Sequence, residues 1–338
     1  MSERRVRDAA RPASVDLVSV ARAVSARMLG GRSPTTAGMG GRLPPVKVCI
    51  ACGSARLSEA WLCPDCGDEP ARIGGVISFA PAEALGNPAY RDGYFADLAA
   101  AEARSFWYQA RNDLITWAIK HHFPDLKAFL EIGCGTGYAL SGVRAAFPSA
   151  ELTGSEIIAA GIEFAQRRVP SAQILQMDAR QIPFRDHFDV IGAFDVIEHI
   201  EEDTDVLAEI RRALRPGGGL VLAVPQHPAL WSPHDEYTRH VRRYTSSELR
   251  RKVEAAGFEV LRTTSFVSLL LPMMFMARLR MRRTDPLARK DPVDAARVSR
   301  PVSLALAPVM ALESALIRAG VSFPVGGSRL MVASKAAV

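Results

Sequence analysis

The chain has 338 residues, 48% hydrophobic and 23% charged, an ordinary globular balance with enough length for a full core and two or three domains. The net charge of +6 arises within residues 1–47, where nine basic residues face three acidic ones, so the rest of the chain is neutral overall. The pI of about 9.2 therefore belongs to a tail and makes no case for a broad nucleic-acid-binding face. No charged-then-apolar leader opens the sequence, and no apolar run approaches the ~20 residues that span a bilayer, so a reducing, cytoplasmic setting is expected.

Residues 1–45 read as a disordered basic tail, dominated by Arg, Ala, Ser and Gly. An Arg-rich, acid-poor start also fits an organellar transit peptide. Residues 46–70 hold Cys49-x2-Cys52, ten intervening residues, then Cys63-x2-Cys66. Each pair is followed by glycine (Gly53, Gly67) and forms a tight knuckle whose amides can face sulfur. In a reducing compartment this pairing means metal before disulfide. Four thiolates suit a tetrahedral, structural Zn²⁺, because four protein ligands leave no position open for chemistry. A metal-free ribbon or a redox dithiol pair is the alternative. Residues 71–124 form a helical lid or linker, with one short strand at 75–80 and a dense aromatic set from Tyr90 to Trp117.

From Ala128 strands and helices alternate. The apolar run Ala128–Ile132 ends in Gly133-Cys134-Gly135-Thr136-Gly137. This reads as a buried strand, a sharp turn and a helix N-terminus, whose amides and dipole favour a polar or anionic ligand. Strands are predicted at 151–156, 173–177, 188–194, 220–224, 258–266 and 330–334, with helices between them and a turn at Pro216-Gly217-Gly218-Gly219. The alternation predicts a doubly wound α/β sheet. Ligands bind such sheets at the carboxyl ends of the strands. Strand two ends in Glu156, 21 residues after Gly135, the place for an acid that accepts hydrogen bonds from ribose hydroxyls. Strand three ends in Met177-Asp178-Ala179, where an acid can meet an adenine amino group. Strand four ends in Phe194-Asp195.

Glu131-Ile132-Gly133-Cys134-Gly135-Thr136-Gly137, Glu156, Met177-Asp178-Ala179, the run Phe188 to Ile200, and Leu214-Arg215-Pro216-Gly217-Gly218-Gly219 together resemble the successive motifs of class I S-adenosylmethionine-dependent methyltransferases, in the flavour of the ubiquinone pathway. A dinucleotide dehydrogenase would carry Gly-x-Gly-x-x-Gly instead. The resemblance covers about residues 125–265 and the last strand. It implies a Rossmann-like seven-stranded sheet of order 3-2-1-4-5-7-6 with strand seven antiparallel, in a domain over 125–338 with an apolar and basic insert at about 267–325. It implies that Gly133, Gly135 and Gly137 hug the cofactor, Glu131 orients the loop amides, Glu156 binds the ribose, Asp178 and Ala179 the adenine, and Asp195 the methionyl part. Cys134 becomes a small residue inside the turn.

Two clusters bear on the chemistry. Asp195-x-x-Glu198-His199 resembles the metal-binding arrangement of some O-methyltransferases and would suit Mg²⁺; the alternative is that Glu198 and His199 only pack the segment after strand four. After strand five come His227, His234 and His240, whose ordinary pKa lies near working pH. His227 is the favoured general base, with His199 the second catalytic candidate. Arg242 and Arg243 could pair with an acidic substrate or with the neighbouring helix. The insert is apolar, then basic, then apolar. It reads as extra core packing, a dimer interface, or an interfacial patch that collects a lipid-linked substrate at the inner face of a membrane. The expected function is methyl transfer to a small-molecule or lipid-like acceptor at oxygen or carbon. The alternatives are RNA methylation, with the ribbon recognising RNA, and a non-catalytic scaffold that keeps the cofactor fold.

Overall fold

The computed structural model describes residues 46–58, 60–84, 93–102, 104–282 and 300–337. The tail expected at 1–45, Tyr90 and the basic stretch 283–299 lie outside the described residues. Pro44–Val338 forms one compact unit.

The fold is organised by β4 (Ala128–Ile132), whose five residues are all buried. A strand buried on both faces needs helices on both sides, which is why its sequence is continuously apolar rather than alternating. Beside it run β5 (Glu151–Glu156) and β6 (Gln173–Gln176) on one side, and β8 (Phe188–Phe194) and β9 (Leu214–Pro225) on the other, all parallel. β11 (Ser328–Lys335) is antiparallel to both β9 and β10 (Phe258–Phe266). The sheet has nine strands in the order β10-β11-β9-β8-β4-β5-β6-β3-β2, two more than expected. The additional pair is a hairpin of β2 (Ala71–Ile73) and β3 (Val76–Ser78), with β3 parallel to β6. Its turn is Gly74-Gly75, with φ of 56° and 80°, a left-handed conformation that L-residues avoid. One strand was expected here; the glycine pair makes it two.

The Pro-Gly-Gly-Gly segment expected as a turn lies inside β9. A Cβ at Gly219 would collide with the Phe123 ring, so glycine there serves close packing of the α-layer. That layer contains α3 (Phe106–His122), α4 (Tyr138–Ala146), α5 (Ala159–Arg168) and α10 (Arg300–Arg318). The opposite face is covered by α6 (Asp203–Ala213) and α8 (Ser246–Ala255). Thr245 caps α8 by accepting from the Glu248 amide at 3.2 Å, as its sequence predicts.

The cysteine module is tied to the sheet. β1 (Val46–Lys47) pairs with β7 (Phe184–Arg185). Trp61 sits edge-on to Phe79 and Phe184, with ring centroids 5.0 and 5.4 Å apart. In the insert, α9 (Leu271–Arg282) and α10 follow β10. α10 has 19 residues and an 18-residue window of mean hydropathy 1.4, long and apolar enough to cross a membrane by length and composition, contrary to expectation. Yet α10 buries Ser303, Met310, Glu313 and Ile317. Glu313 Oε2 accepts from the Ser268 and Leu269 amides at 2.8 and 2.7 Å.

Candidate functional site

The glycine turn lies at the carboxyl end of β4. Gly133, Gly135 and Gly137 all have positive φ (64°, 52° and 76°), but their surroundings differ. A Cβ on Gly133 would sit 2.5 Å from Val196 Cγ2, and one on Gly137 3.0 Å from Ala165 Cα, whereas Gly135 has nothing within 4 Å. Gly135 is thus the residue whose bare backbone faces open space. Beside it, buried Glu156 accepts from the Gly135 amide at 2.9 Å and from the Ile158 amide at 3.0 Å. Burial raises the Glu156 pKa even against those amides. Glu131, expected to orient the turn's amides, instead takes the Leu140 amide at the start of α4. Its Oε2 has no partner among the described residues, and burial pushes its pKa up to about 8. Cys134 is buried and its thiol is pushed well above the usual range, so it is a packing residue in the turn.

At the end of β6, Asp178 is gripped by Arg180 through Nη2 at 2.6 Å and Nε at 3.0 Å. Burial opposes ionisation, but Arg180 wins and lowers the Asp178 pKa. Ala179 is buried beside it. A cavity of about 520 Å³ opens here, walled by Phe79, Asp178, Arg180, Glu202 and Asp205. An amino group arriving at Asp178 would share the carboxylate with a guanidinium already in place.

Asp195, at the end of β8, has φ of 57° and pairs with Arg111 of α3 at 2.6 Å. Arg111 lies over the rings of Trp107 and Phe194. The turn is further strapped by α2 (Tyr94–Glu102): the Thr136 hydroxyl donates to Glu102 at 2.6 Å, and Arg168 pairs with Glu102 at 2.6 Å. Sequence reading missed Arg111, Glu102 and Arg168. Each is a charged residue on a helix, and only its burial in three dimensions distinguishes it from a solvated one.

The segment after β9 gathers the histidines. His227 has φ of 63° and an Nε2 without a partner among the described residues. Burial, with Arg329 and Arg243 nearby, lowers its pKa, which keeps the imidazole neutral. Arg242 and Arg243 do not offer free heads to an acidic substrate: Arg242 pairs with Asp203 at 2.6 Å, and Arg243 with Asp235 at 2.7 Å. The metal trio expected at Asp195, Glu198 and His199 is also revised. Arg111 holds Asp195, and the third member of the cluster is His240: one ligand atom each of Glu198, His199 and His240 lie within 4.8 Å of one another. This cluster could chelate a metal. His199 is half-buried by solvent exposure, and desolvation, with His240 beside it, lowers its pKa to about 4.

The four cysteines form a second cluster that could chelate a metal. Cys49 Sγ lies 3.7 Å from Cys66 Sγ, and Cys52 Sγ 3.6 Å from Cys63 Sγ. Tetrahedral Zn–S bonds of ~2.3 Å imply a sulfur–sulfur edge of about 3.8 Å, so the geometry fits. Amides of Ala51 and Cys52 face Cys49, and those of Asp65 and Cys66 face Cys63. Gly53 and Gly67, with φ of 77° and 76°, close the two knuckles.

A family model described as a methyltransferase domain matches residues 130–222. A protein of Mycolicibacterium smegmatis, named as a probable S-adenosylmethionine-dependent methyltransferase, is 28% identical over 161 residues, covering 46% of this chain and 60% of that protein. A fatty-acid O-methyltransferase of the same organism is 38% identical over 96 residues, covering 27% of this chain and 35% of its own length. The chain thus spans less than two thirds of each. Phosphoethanolamine N-methyltransferase 2 of Haemonchus contortus, solved with S-adenosyl-L-methionine, superposes with a TM-score of 0.50 at 18% identity, covering 78% of this chain and 61% of that one; this likeness concerns the fold alone. With the sheet, the glycine turn and the matched motifs together, the chain has the class I S-adenosylmethionine-dependent methyltransferase fold, joined to a cysteine cluster suggestive of a zinc-binding module.

Proposed function

We propose that this protein transfers a methyl group from S-adenosylmethionine to a small-molecule or lipid-like acceptor, at oxygen or carbon. The observation that carries the reading is the pairing of Gly135, open on its ligand side, with the buried Glu156 carboxylate that holds its amide at 2.9 Å. S-adenosylmethionine supplies an electrophilic methyl on a sulfonium. In this reading Gly133 to Gly137 and Glu156 hold its nucleoside, Asp178 and Ala179 border the adenine, and Asp195, braced by Arg111, lies toward the methionyl part. His227, kept neutral by its surroundings, serves as the base for the acceptor. The aromatic residues of α2 and α3 exclude water, so that positioning does most of the catalytic work. The ribbon over 46–70 is a structural zinc module, and the catalytic domain begins near 125 with the seven-strand order of its class.

The lipid-like part of the reading is supported by the fatty-acid O-methyltransferase among the relatives and by the outward apolar face of α10, where Leu304 is 66% exposed. That face, with α9, is the proposed peripheral contact with a membrane. Calorimetry with S-adenosylmethionine tests the cofactor assignment. Labelled-methyl transfer into separated lipid, small-molecule and RNA pools tests the acceptor class. Heatless titration sinks the enzyme reading in favour of a scaffold, and label appearing only in RNA overturns the acceptor assignment.

A further inference from the structure

Gln176 is the last residue of β6 and stands immediately before Met177-Asp178-Ala179. It is 0% exposed, and both ends of its side-chain amide are engaged. Oε1 accepts from the Ser78 hydroxyl at 2.7 Å and from the Ala80 amide at 3.0 Å. Nε2 donates to the Ala80 carbonyl at 2.7 Å and to the Ile157 carbonyl at 3.0 Å. The Gln176 backbone carbonyl accepts from the Phe79 amide at 2.8 Å. One buried side chain thus clamps the end of β3 to the loop after β5. Ile157 in that loop lies between Glu156 and Ile158, whose amide Glu156 holds at 3.0 Å. A buried polar network that is fully satisfied is rigid and specifies one arrangement.

Phe79, Ala80, Pro81 and Glu83, at and just beyond the clamp, form one wall of the cavity at Asp178. They lie outside residues 130–222, which match the methyltransferase domain. The cysteine module backs them. Trp61 is 3% exposed, meets the Phe79 ring edge-on, and stands two residues before Cys63. Its φ of 70° is one that a bulky aromatic adopts only where its surroundings over-determine it. On one side those surroundings are the Phe79 and Phe184 rings. On the other, the Trp61 amide donates to the Ser58 carbonyl at 3.0 Å, and the knuckle that opens at Cys63 follows. Four thiolates that close on one ion fix such a knuckle, and small cysteine modules lose their shape without it.

We infer, on the S-adenosylmethionine reading of the site, that Phe79 to Glu83 form the outer wall of the adenosine pocket, that Gln176 is the positioning residue that sets this wall against Asp178, and that Trp61 makes cofactor affinity depend on the metal held by the four cysteines. The apolar side chains of Phe79, Ala80 and Pro81 suit the faces of a purine, and Asp178 addresses its edge. Such a coupling is reciprocal: a metal that tightens S-adenosylmethionine binding is itself held tighter, by the same factor, once S-adenosylmethionine is bound.

Calorimetry with S-adenosylmethionine tests this on the full chain loaded with Zn²⁺ and on a Cys63→Ser, Cys66→Ser double variant, with zinc content checked by elemental analysis and folding by circular dichroism. Loss of the ion should weaken binding by about five-fold or more. Competition with a chromophoric chelator should show the wild type holding zinc tighter by the same factor when S-adenosylmethionine is saturating. Trp61→Ala keeps the four cysteines and their zinc, yet should bind S-adenosylmethionine equally well loaded or stripped, whereas Trp61→Phe keeps the dependence. A merely structural module would lower the melting temperature in Trp61→Ala without erasing that difference. If the cysteine double variant does not fold, zinc-loaded Gln176→Glu is read instead; it keeps the acceptor oxygens, loses both donors, and should weaken S-adenosylmethionine binding at unchanged zinc stoichiometry. Affinity that is the same with and without zinc, or wild-type affinity in Gln176→Glu, overturns the inference alone. Absence of binding by the zinc-loaded wild type overturns the cofactor reading and this inference with it.

Discussion

Gly133 and Gly135 share a left-handed backbone, yet a methyl group added to each meets different surroundings. Both Gly→Ala changes carry the left-handed penalty of ~1–2 kcal/mol. Gly133→Ala also drives Cβ to 2.5 Å from Val196 Cγ2, and overpacking costs a further ~1–3 kcal/mol. Gly135→Ala meets nothing within 4 Å and places its methyl group where the cofactor would approach. Thermal melting should therefore fall clearly further for Gly133→Ala, while calorimetry should find S-adenosylmethionine binding most reduced, relative to the loss in stability, for Gly135→Ala. Equal losses of both quantities in the two variants would count against the assigned faces. Glu131 gives a pH test at the same scale. Burial raises its pKa from the ordinary 4.5 to about 8, so the folded form keeps its proton where the unfolded form has lost it. Its favourable contribution is full below pH 4.5 and is lost as the pH rises to about 8. Urea unfolding of wild type against Glu131→Gln should show the variant gaining relative stability across that window. A difference that stays constant with pH would refute the assignment.

At the scale of elements, local pattern and long-range partnership separate cleanly. Strands β4, β5, β8 and β10 were legible to the residue: β4 and β8 because a buried parallel strand leaves a largely apolar run bounded by glycine or polar residues, β5 because it ends in the acid at the expected spacing from the glycine turn, and β10 because it follows a helix pattern closed by Gly257. β9 was not, since its Pro-Gly-Gly-Gly segment is locally a turn signal; the packing of Phe123 over Gly219 decides the matter from a distant element. The β2–β3 hairpin was half legible through Gly75. The cofactor motifs were readable from spacing along the strand ends, whereas the Arg111–Asp195 pair and the choice of His240 over Asp195 depended on which helices and loops converge. Glu313 belongs to this second kind. It lies inside an apolar helix, is 1% exposed, and accepts the two amides that open the turn before α9. Glu313→Leu leaves those amides unpaired and should destabilise by about 2–5 kcal/mol, taking ~1–3 kcal/mol for each buried donor with some relaxation. Glu313→Gln, whose carbonyl can still accept both, should lose much less. Equilibrium denaturation distinguishes the two, and equal losses would show that charge rather than amide capping holds the insert down.

Across the whole molecule, charge and apolar surface are distributed unevenly in the same region of the fold. The chain from Lys47 onward is close to neutral, yet residues 278–300 hold eight basic and three acidic residues. On either side of that stretch, α9 exposes Met273, Phe275 and Met276 at 44–51%, and α10 exposes Val302, Leu304 and Leu312 at 46–66%. The inner face of α10 is already satisfied by Met310, Ile317 and the Glu313 cap, so core packing accounts for one side of the helix only. A soluble partner surface and a bilayer both cover apolar side chains, but the adjoining excess of arginine favours an anionic lipid surface, where each basic residue contributes ~1 kcal/mol. Full burial of a large apolar side chain contributes a further ~1.5–3 kcal/mol, and only part of that is gained by residues already half covered. The protein should then co-sediment with vesicles containing anionic lipid at low salt and dissociate as salt screens the charges. Leu304→Glu with Leu312→Glu should remove binding even at low salt, because the carboxylates would have to enter the acyl boundary, while leaving the melting temperature near the wild-type value, since both residues face outward. Co-sedimentation that ignores salt, or that survives the double substitution, would assign the face to something other than a charged membrane.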